Sequence, residues 1–133
     1  MAAVVVPLGA CSNLGSLFGT EEVATDEPPA KLSNEGVFLL DKRHDYKAAA
    51  KKFEEVERQH PYSDWARKAL IMVAYSRYES KDYEDCVSAA RRFVTLHPGS
   101  ADAPYAQFLI GSAYFEQTPG GSRGQVRTEK ATD

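Results

Sequence analysis

Two stretches of this chain repeat each other 37 residues apart. Asp45-Tyr46 recurs as Asp82-Tyr83, His60-Pro61-Tyr62-Ser63 recurs as His97-Pro98-Gly99-Ser100, and Ala66 and Ala69 match Ala103 and Ala106. A period of this size filled with helical pattern marks a solenoid of helix pairs, because no single pair can bury its own apolar face. Such a fold offers surfaces rather than the enclosed pocket of a small-substrate enzyme. The functional question becomes one of partners.

The pattern within each period is helical. Tyr46, Ala49, Phe53 and Val56 advance in steps of three and four, with Lys51, Lys52, Glu54, Glu55, Glu57 and Arg58 on the other side. Tyr83, Cys86, Val87, Ala90, Phe93 and Val94 do the same one period later. Pro61 and Pro98 stop these helices, since proline has no amide proton and restricts the residue before it. The spacing predicts five helices, near 31–42, 46–59, 63–80, 83–96 and 102–117. Ser63 or Asp64 caps the third, and Ser100 or Asp102 caps the fifth, with Pro104 tolerated in its first turn. Short connections make neighbours antiparallel. The expected fold is all-α: tetratricopeptide-like antiparallel hairpins in a right-handed solenoid, two hairpins plus the first helix of a third over 31–117. Ala74 and Gly111 are expected where paired helices approach closely. Ala49 and Cys86 hold the matching small position on the return helix, and Phe53 and Phe93 fill space between hairpins. The spacing Gln107-x2-Ile110-Gly111-x2-Tyr114, with Ala49-x3-Phe53 closed by Pro61, follows the tetratricopeptide pattern. It departs in its longer period and in lacking Trp-x2-Leu-Gly.

The chain of 133 residues suffices for one domain. Hydrophobic residues make up 43%, enough for a core, and the net charge of −3 argues against a nucleic-acid partner. Residues 12–30, with Glu21, Glu22, Asp26, Glu27, Pro28 and Pro29, read as a flexible tether, and 118–133 as a loop and charged tail. Residues 1–11 end in Leu8-Gly9-Ala10-Cys11 after an apolar run too short to span a bilayer. Small residues, then a thiol, then a polar tether are the arrangement of a bacterial lipoprotein signal, which makes Cys11 the expected lipidation site. No Lys or Arg precedes the apolar run, so it reads as the remnant of an export signal. At the other end, Phe108, Leu109, Ile110, Tyr114 and Phe115 call for a following helix, and the chain reads as a fragment. Cys86 reads as a small buried hydrophobe.

Catalytic and metal chemistry find little support. His60 and His97 occupy equivalent helix ends before proline, where a ring covers the last turn, and His44 lies in a turn. No glycine-rich phosphate loop is present, and no Ser, His and Asp set has motif context. No enzyme activity, cofactor or metal is expected. Tyr62 and Tyr75 fit the buried stripe poorly, and Arg67 and Lys68 follow Trp65 near a hairpin edge. These four are the candidate contacts for an extended peptide, with the aromatics as anchors and the cations at the rim.

Taken together, several phrases resemble one family. They are Leu-Gly-Ala-Cys at 8–11, Phe53-Glu54-Glu55-Val56, His60-Pro61-Tyr62-Ser63-x2-Ala66, Ala74-Tyr75-x2-Tyr78, Arg91-Arg92-Phe93, His97-Pro98 and Tyr105-Ala106-x2-Leu109-x-Gly111-x2-Tyr114. They resemble the BamD (ComL) family, lipoprotein subunits of the outer-membrane β-barrel assembly machinery. The resemblance covers about 31–117, with Cys11 matched by motif. It implies a non-catalytic scaffold, lipid-anchored in the outer membrane and facing the periplasm, with about half of the family's five hairpins. Its implied partners are the barrel subunit, the other lipoproteins of the complex and unfolded outer-membrane proteins. The family's C-terminal contact surface for the barrel subunit falls beyond this sequence. Ser12 after Cys11 fits release to the outer membrane. The other reading is a periplasmic tetratricopeptide adaptor of the Tol-Pal-associated cell-division type, whose repeats usually follow a coiled coil. The order of Cys, tether and repeats favours the first.

Overall fold

A computed structural model describes residues 26–119. The expected lipidation site, most of the tether and all but the start of the tail lie outside the described residues. Five α-helices follow one another: α1 (Pro29–Phe38), α2 (Tyr46–Gln59), α3 (Asp64–Glu79), α4 (Tyr83–Leu96) and α5 (Ala103–Gln117). A π-helical turn, Leu39–Arg43, extends α1. There is no strand among the described residues. Each helix packs on the next, and the short connections make antiparallel hairpins, as the repeat requires.

The ends of the helices show why the repeat has its punctuation. At one end of the stack the hairpins close through His44 and Lys81, 37 residues apart and both left-handed at φ 52° and φ 64°. After α3, the Lys81 amide donates to the Tyr78 carbonyl and the Asp82 amide to the Arg77 carbonyl, which is a Schellman ending. Asp45 and Asp82 then hold the N-cap positions of α2 and α4. The Asp45 carboxylate accepts the Ala48 amide at 3.0 Å. At the other end, Ser63 caps α3 by accepting the Ala66 amide at 3.1 Å. Of the two residues expected there, Asp64 is the first helical residue instead. Asp102 occupies the cap position of α5 without a side-chain cap bond, and the Ser100 hydroxyl accepts the Asp102 amide.

Two expectations shift. The first helix begins at Pro29, two residues before the expected 31. Pro28 is its N-cap residue and Pro29 its first turn, where a fixed φ is pre-organised and the missing amide proton costs nothing. Its far end widens into a π turn, which brings the consecutive Leu39 and Leu40 against the same core cluster.

The core forms two layers. One joins Leu32, Leu40, Ala49, Phe53, Val56, Ala69 and Val73 across the first three helices. The other joins α3, α4 and α5 through residues including Leu70, Ala74, Cys86, Ala90, Phe93, Ala106 and Leu109. Ala49, Ala74 and Cys86 are fully buried at their expected small positions. Tyr46 and Tyr83 pack partly buried against the two layers, and Pro61 and Pro98 lie exposed in the loops after α2 and α4. Phe53 and Phe93 are both buried, but they exchange places within the repeat. One period after Phe53 comes Ala90, and one period before Phe93 comes Val56. Each layer keeps one ring on the return helix, at alternate levels, so the shape of the packing differs between the two repeats.

Gly36 is what makes room for the first ring. A Cβ placed there would stand 2.7 Å from two carbons of the Phe53 ring. Gly111, expected at a similar close approach, has nothing within 4 Å of such a Cβ among the described residues. The same substitution therefore acts oppositely at the two sites. In this chain Gly111→Ala gains helix propensity and raises stability by up to about 1 kcal/mol. Gly36→Ala makes the same local gain but overpacks the core against Phe53, for a net loss of roughly 1–2 kcal/mol. Urea denaturation of both variants checks the pair, and equal signs would refute this packing.

Candidate peptide-binding surface

The alternation of helices creates two unlike sides. The odd-numbered helices touch one another, α1 with α3 and α3 with α5, while the even-numbered helices barely meet. We call the side on which the odd helices meet the inner face. On that face α1 and α3 diverge around a largely apolar groove of about 390 Å³, lined by Ser33, Val37, Trp65, Lys68, Met72 and Asp102 among others. Trp65 is 39% exposed, and the Lys68 ammonium lies 5.9 Å from its ring centroid. Tyr75 follows Lys68 by two helical turns on the same side of α3 and packs half-buried against both core layers. Burial, and then the nearby Glu79 carboxylate, push its phenol above the usual value, so it stays a neutral hydroxyl.

The four candidate contacts do not converge. Lys68 and Tyr75 share the inner face. Arg67, one residue from Lys68, points about 100° away around the helix. It lines, with the fully exposed Tyr62, a second depression of about 610 Å³ between the ends of α2, α3 and α4. Arg67 is also within 3.6 Å of Asp64. The residue that the sequence reading named only as a neighbour, Trp65, is the largest exposed side chain in the inner groove. The steps Trp65, Lys68, Met72 and Tyr75, spaced three, four and three, were the signal that marks this face.

The second depression has its own electrostatics. Glu57 on α2 and Arg92 on α4 form an ion pair at its floor, through Oε2 of Glu57. The other carboxylate oxygen, Oε1, is buried without a hydrogen-bond partner. Burial is the main cause that raises the Glu57 carboxyl above the ordinary range, and the Arg92 guanidinium offsets it only in part. A neighbouring network is better satisfied. Arg77 on α3 donates to Glu54 at 2.6 Å and lies within 4 Å of Asp82 and Asp85, tying α2, α3 and α4 together.

Cys86 is fully buried, and burial alone pushes its thiol up to about 11, which makes it an inert packing group. His60 Nε2 donates to the Glu27 carbonyl, 2.6 Å away, while the Glu27 amide donates to Gln59. The ring therefore pins the N-terminal chain to the end of α2 rather than meeting His97, whose ring packs on Phe93. No group of three or more His, Cys, Asp and Glu side chains suited to a metal ion occurs among the described residues. Nor is any helix among them long and apolar enough to cross a membrane.

The Glu57 geometry has a pH signature. A carboxyl whose folded value is raised binds protons more tightly in the native state than in the unfolded one. Its contribution to stability is thus greatest at low pH and falls as pH rises from the unfolded value through the raised one. Glu57→Gln removes this titration. The stability of the variant relative to wild type increases between pH 4 and pH 7, as measured by denaturation at both values. A relative decrease over that interval would show that Arg92 dominates the environment.

Comparison with known proteins places these features in context. A family model described as YfiO, outer membrane lipoprotein, matches residues 25–133. The outer membrane protein assembly factor BamD of Caulobacter vibrioides is 37% identical over 131 residues, covering 98% of this chain and 43% of that protein. Its counterpart from Rickettsia prowazekii is 37% identical over 106 residues, 80% of this chain and 42% of that protein. That of Neisseria gonorrhoeae is 29% identical over 110 residues, 83% and 41% respectively. The chain thus spans less than half the length of these relatives.

Proposed function

The chain belongs to the YfiO family of outer membrane lipoproteins, and from that premise we propose that it is a non-catalytic, substrate-receiving scaffold of outer-membrane protein assembly. The relatives that it matches carry the name of assembly factor. In this reading the chain is held in the outer membrane by lipid on Cys11, faces the periplasm, and works with a barrel-forming subunit and other lipoproteins. Its own task is to hold an extended segment of an unfolded outer-membrane protein.

The observation that carries the reading is the inner groove with Trp65 at its edge. An unfolded barrel strand presents alternating apolar side chains and unpaired backbone. The groove offers Trp65, Val37 and Met72 for the former and Lys68 and Asp102 at its rim for polar ends. Its walls are helices locked by two core layers, so little ordering is lost when a segment binds. Aromatic burial then supplies affinity, while charge mainly orients the chain and speeds encounter. Tyr75, on the same side of α3, extends the candidate surface, and Tyr62 and Arg67 of the separate depression are candidates for a second contact.

Photoreactive groups at Trp65 and Tyr75, compared with groups at Tyr62 and at Lys51 on α2, test this placement. A peptide copied from the C-terminal strand of an outer-membrane protein should crosslink at the inner-face positions and spare Lys51. Equal yields at all four positions, or none at any, overturn the groove as the receiving surface. For the anchor, mass spectrometry of the exported protein purified from its native envelope should find diacylglyceryl and acyl groups on Cys11. Two anchoring signals of this kind hold a protein stably where one chain does not. An exported protein with an unmodified Cys11 removes the anchor from the proposal.

A further inference from the structure

The two ends of the helix stack differ in what they expose. The end bearing His44 and Lys81 closes through short turns with charged side chains, and the exposed Phe38, Tyr114 and Phe115 on that side belong to the last turns of α1 and α5 rather than to the connections. The opposite end gathers the start of α1, the loop from α2 to α3 and the loop from α4 to α5. There Tyr62 is fully exposed, Leu96 is 60% exposed and Trp65 39%. Pro61 and Pro98 lie exposed beside them. The chain from the N-terminal side also enters the fold here, fastened by the Glu27 bonds to Gln59 and His60. Cys11 precedes Asp26 by 15 residues. A random coil of that many residues has a root-mean-square span of about 20 Å, less than the length of a small domain.

We propose that this His-Pro end, with Tyr62, Trp65 and Leu96 around the entry point of the N-terminal chain, rests on the headgroup layer of a lipid bilayer. The proposal builds on the anchoring of Cys11 but makes a separate claim, about which end of the protein meets the membrane. Trp and Tyr settle at the headgroup level because each joins an apolar ring to a polar tip, and an exposed Leu reaches further in. Charge plays little part. Arg58 pairs with Glu55, Arg67 with Asp64, Arg92 with Glu57 and Lys31 with Glu27, so the field at this end is nearly cancelled. Three side chains bury too little surface to retain a free protein on a bilayer. On a tethered protein they act at high effective concentration and need only select one orientation. The inner groove would then open close to the membrane surface, with Trp65 at the corner between the two.

Trp65 is the single tryptophan of the chain, so its fluorescence reports this end directly. The full chain is coupled through Cys11 to a maleimide-bearing phosphatidylethanolamine in phosphatidylethanolamine–phosphatidylglycerol vesicles. The buried, weakly acidic Cys86 does not compete. Chemical coupling makes the result independent of whether the cell acylates Cys11. Trp65 emission should shift to the blue and be quenched by lipids brominated high in their acyl chains, with little change when phosphatidylglycerol is omitted. In a Trp65→Phe, Lys47→Trp variant the indole sits at the opposite end and should escape quenching. A Tyr62→Ser, Leu96→Ser variant, altered outside the inner groove, should lose most of the Trp65 quenching while its helical circular dichroism stays that of the wild type. Equal quenching of the two indole positions, or no quenching of either, overturns the proposal. So does quenching that the Tyr62→Ser, Leu96→Ser variant retains in full, since the contact would then belong to the groove rim.

Discussion

No helix of this chain can bury its apolar stripe alone, and every other feature follows from how neighbours cover it. α2 is covered by α1 on one side and α3 on the other, and α4 by α3 and α5. This makes stability a sum of nearest-neighbour interfaces. It also makes α3 the central element, the one helix among those described that gives buried residues to both core layers. Its Ser76, fully buried, returns its hydroxyl proton to the Met72 carbonyl and so leaves no polar demand in the middle of the stack. A helix packed on two sides keeps a third free. In α3 that third side is the inner face, only partly covered by α1 and α5, and Trp65, Lys68 and Tyr75 lie there.

The parts of the fold that were legible in the sequence are those with punctuation at both ends. α2 and α4 begin after Asp45 and Asp82 and end before His-Pro, and their observed limits coincide with the expected ones. α1 had weaker signals. Pro28-Pro29 in an acidic, proline-containing stretch reads as linker by composition, although a proline is also a good first residue for a helix. The π turn has no local signature beyond two adjacent leucines. The exchange of Phe53 with Phe93 was visible as a mismatch, but its cause, the bare Cα of Gly36 beneath the Phe53 ring, needed coordinates.

The candidate site was less legible for a geometric reason. Arg67 and Lys68 are neighbours in sequence and read as one basic spot, yet a helix sends adjacent residues to different sides. Proximity in sequence was mistaken for proximity in space. Trp65 fell into the inner face by the same helical arithmetic. The Glu57–Arg92 pair could not be found this way at all, since it joins the outer ends of α2 and α4, 35 residues apart. A pairing just short of one full period is set by how two hairpins stack, which no local pattern encodes.

The two ends of the stack also differ in how they tolerate change over evolutionary time. At one end a left-handed residue and an aspartate cap fix the phase of each return helix, and inserting even one residue would rotate the whole apolar stripe away from its neighbour. At the other end the chain leaves each helix through proline and travels several residues before the next cap. Additions there shift no stripe. The unusual length of the repeat in this chain is therefore best absorbed at the His-Pro end. Homologues that differ in repeat length should differ mainly in the rim they present there, with the phase of their helices unchanged.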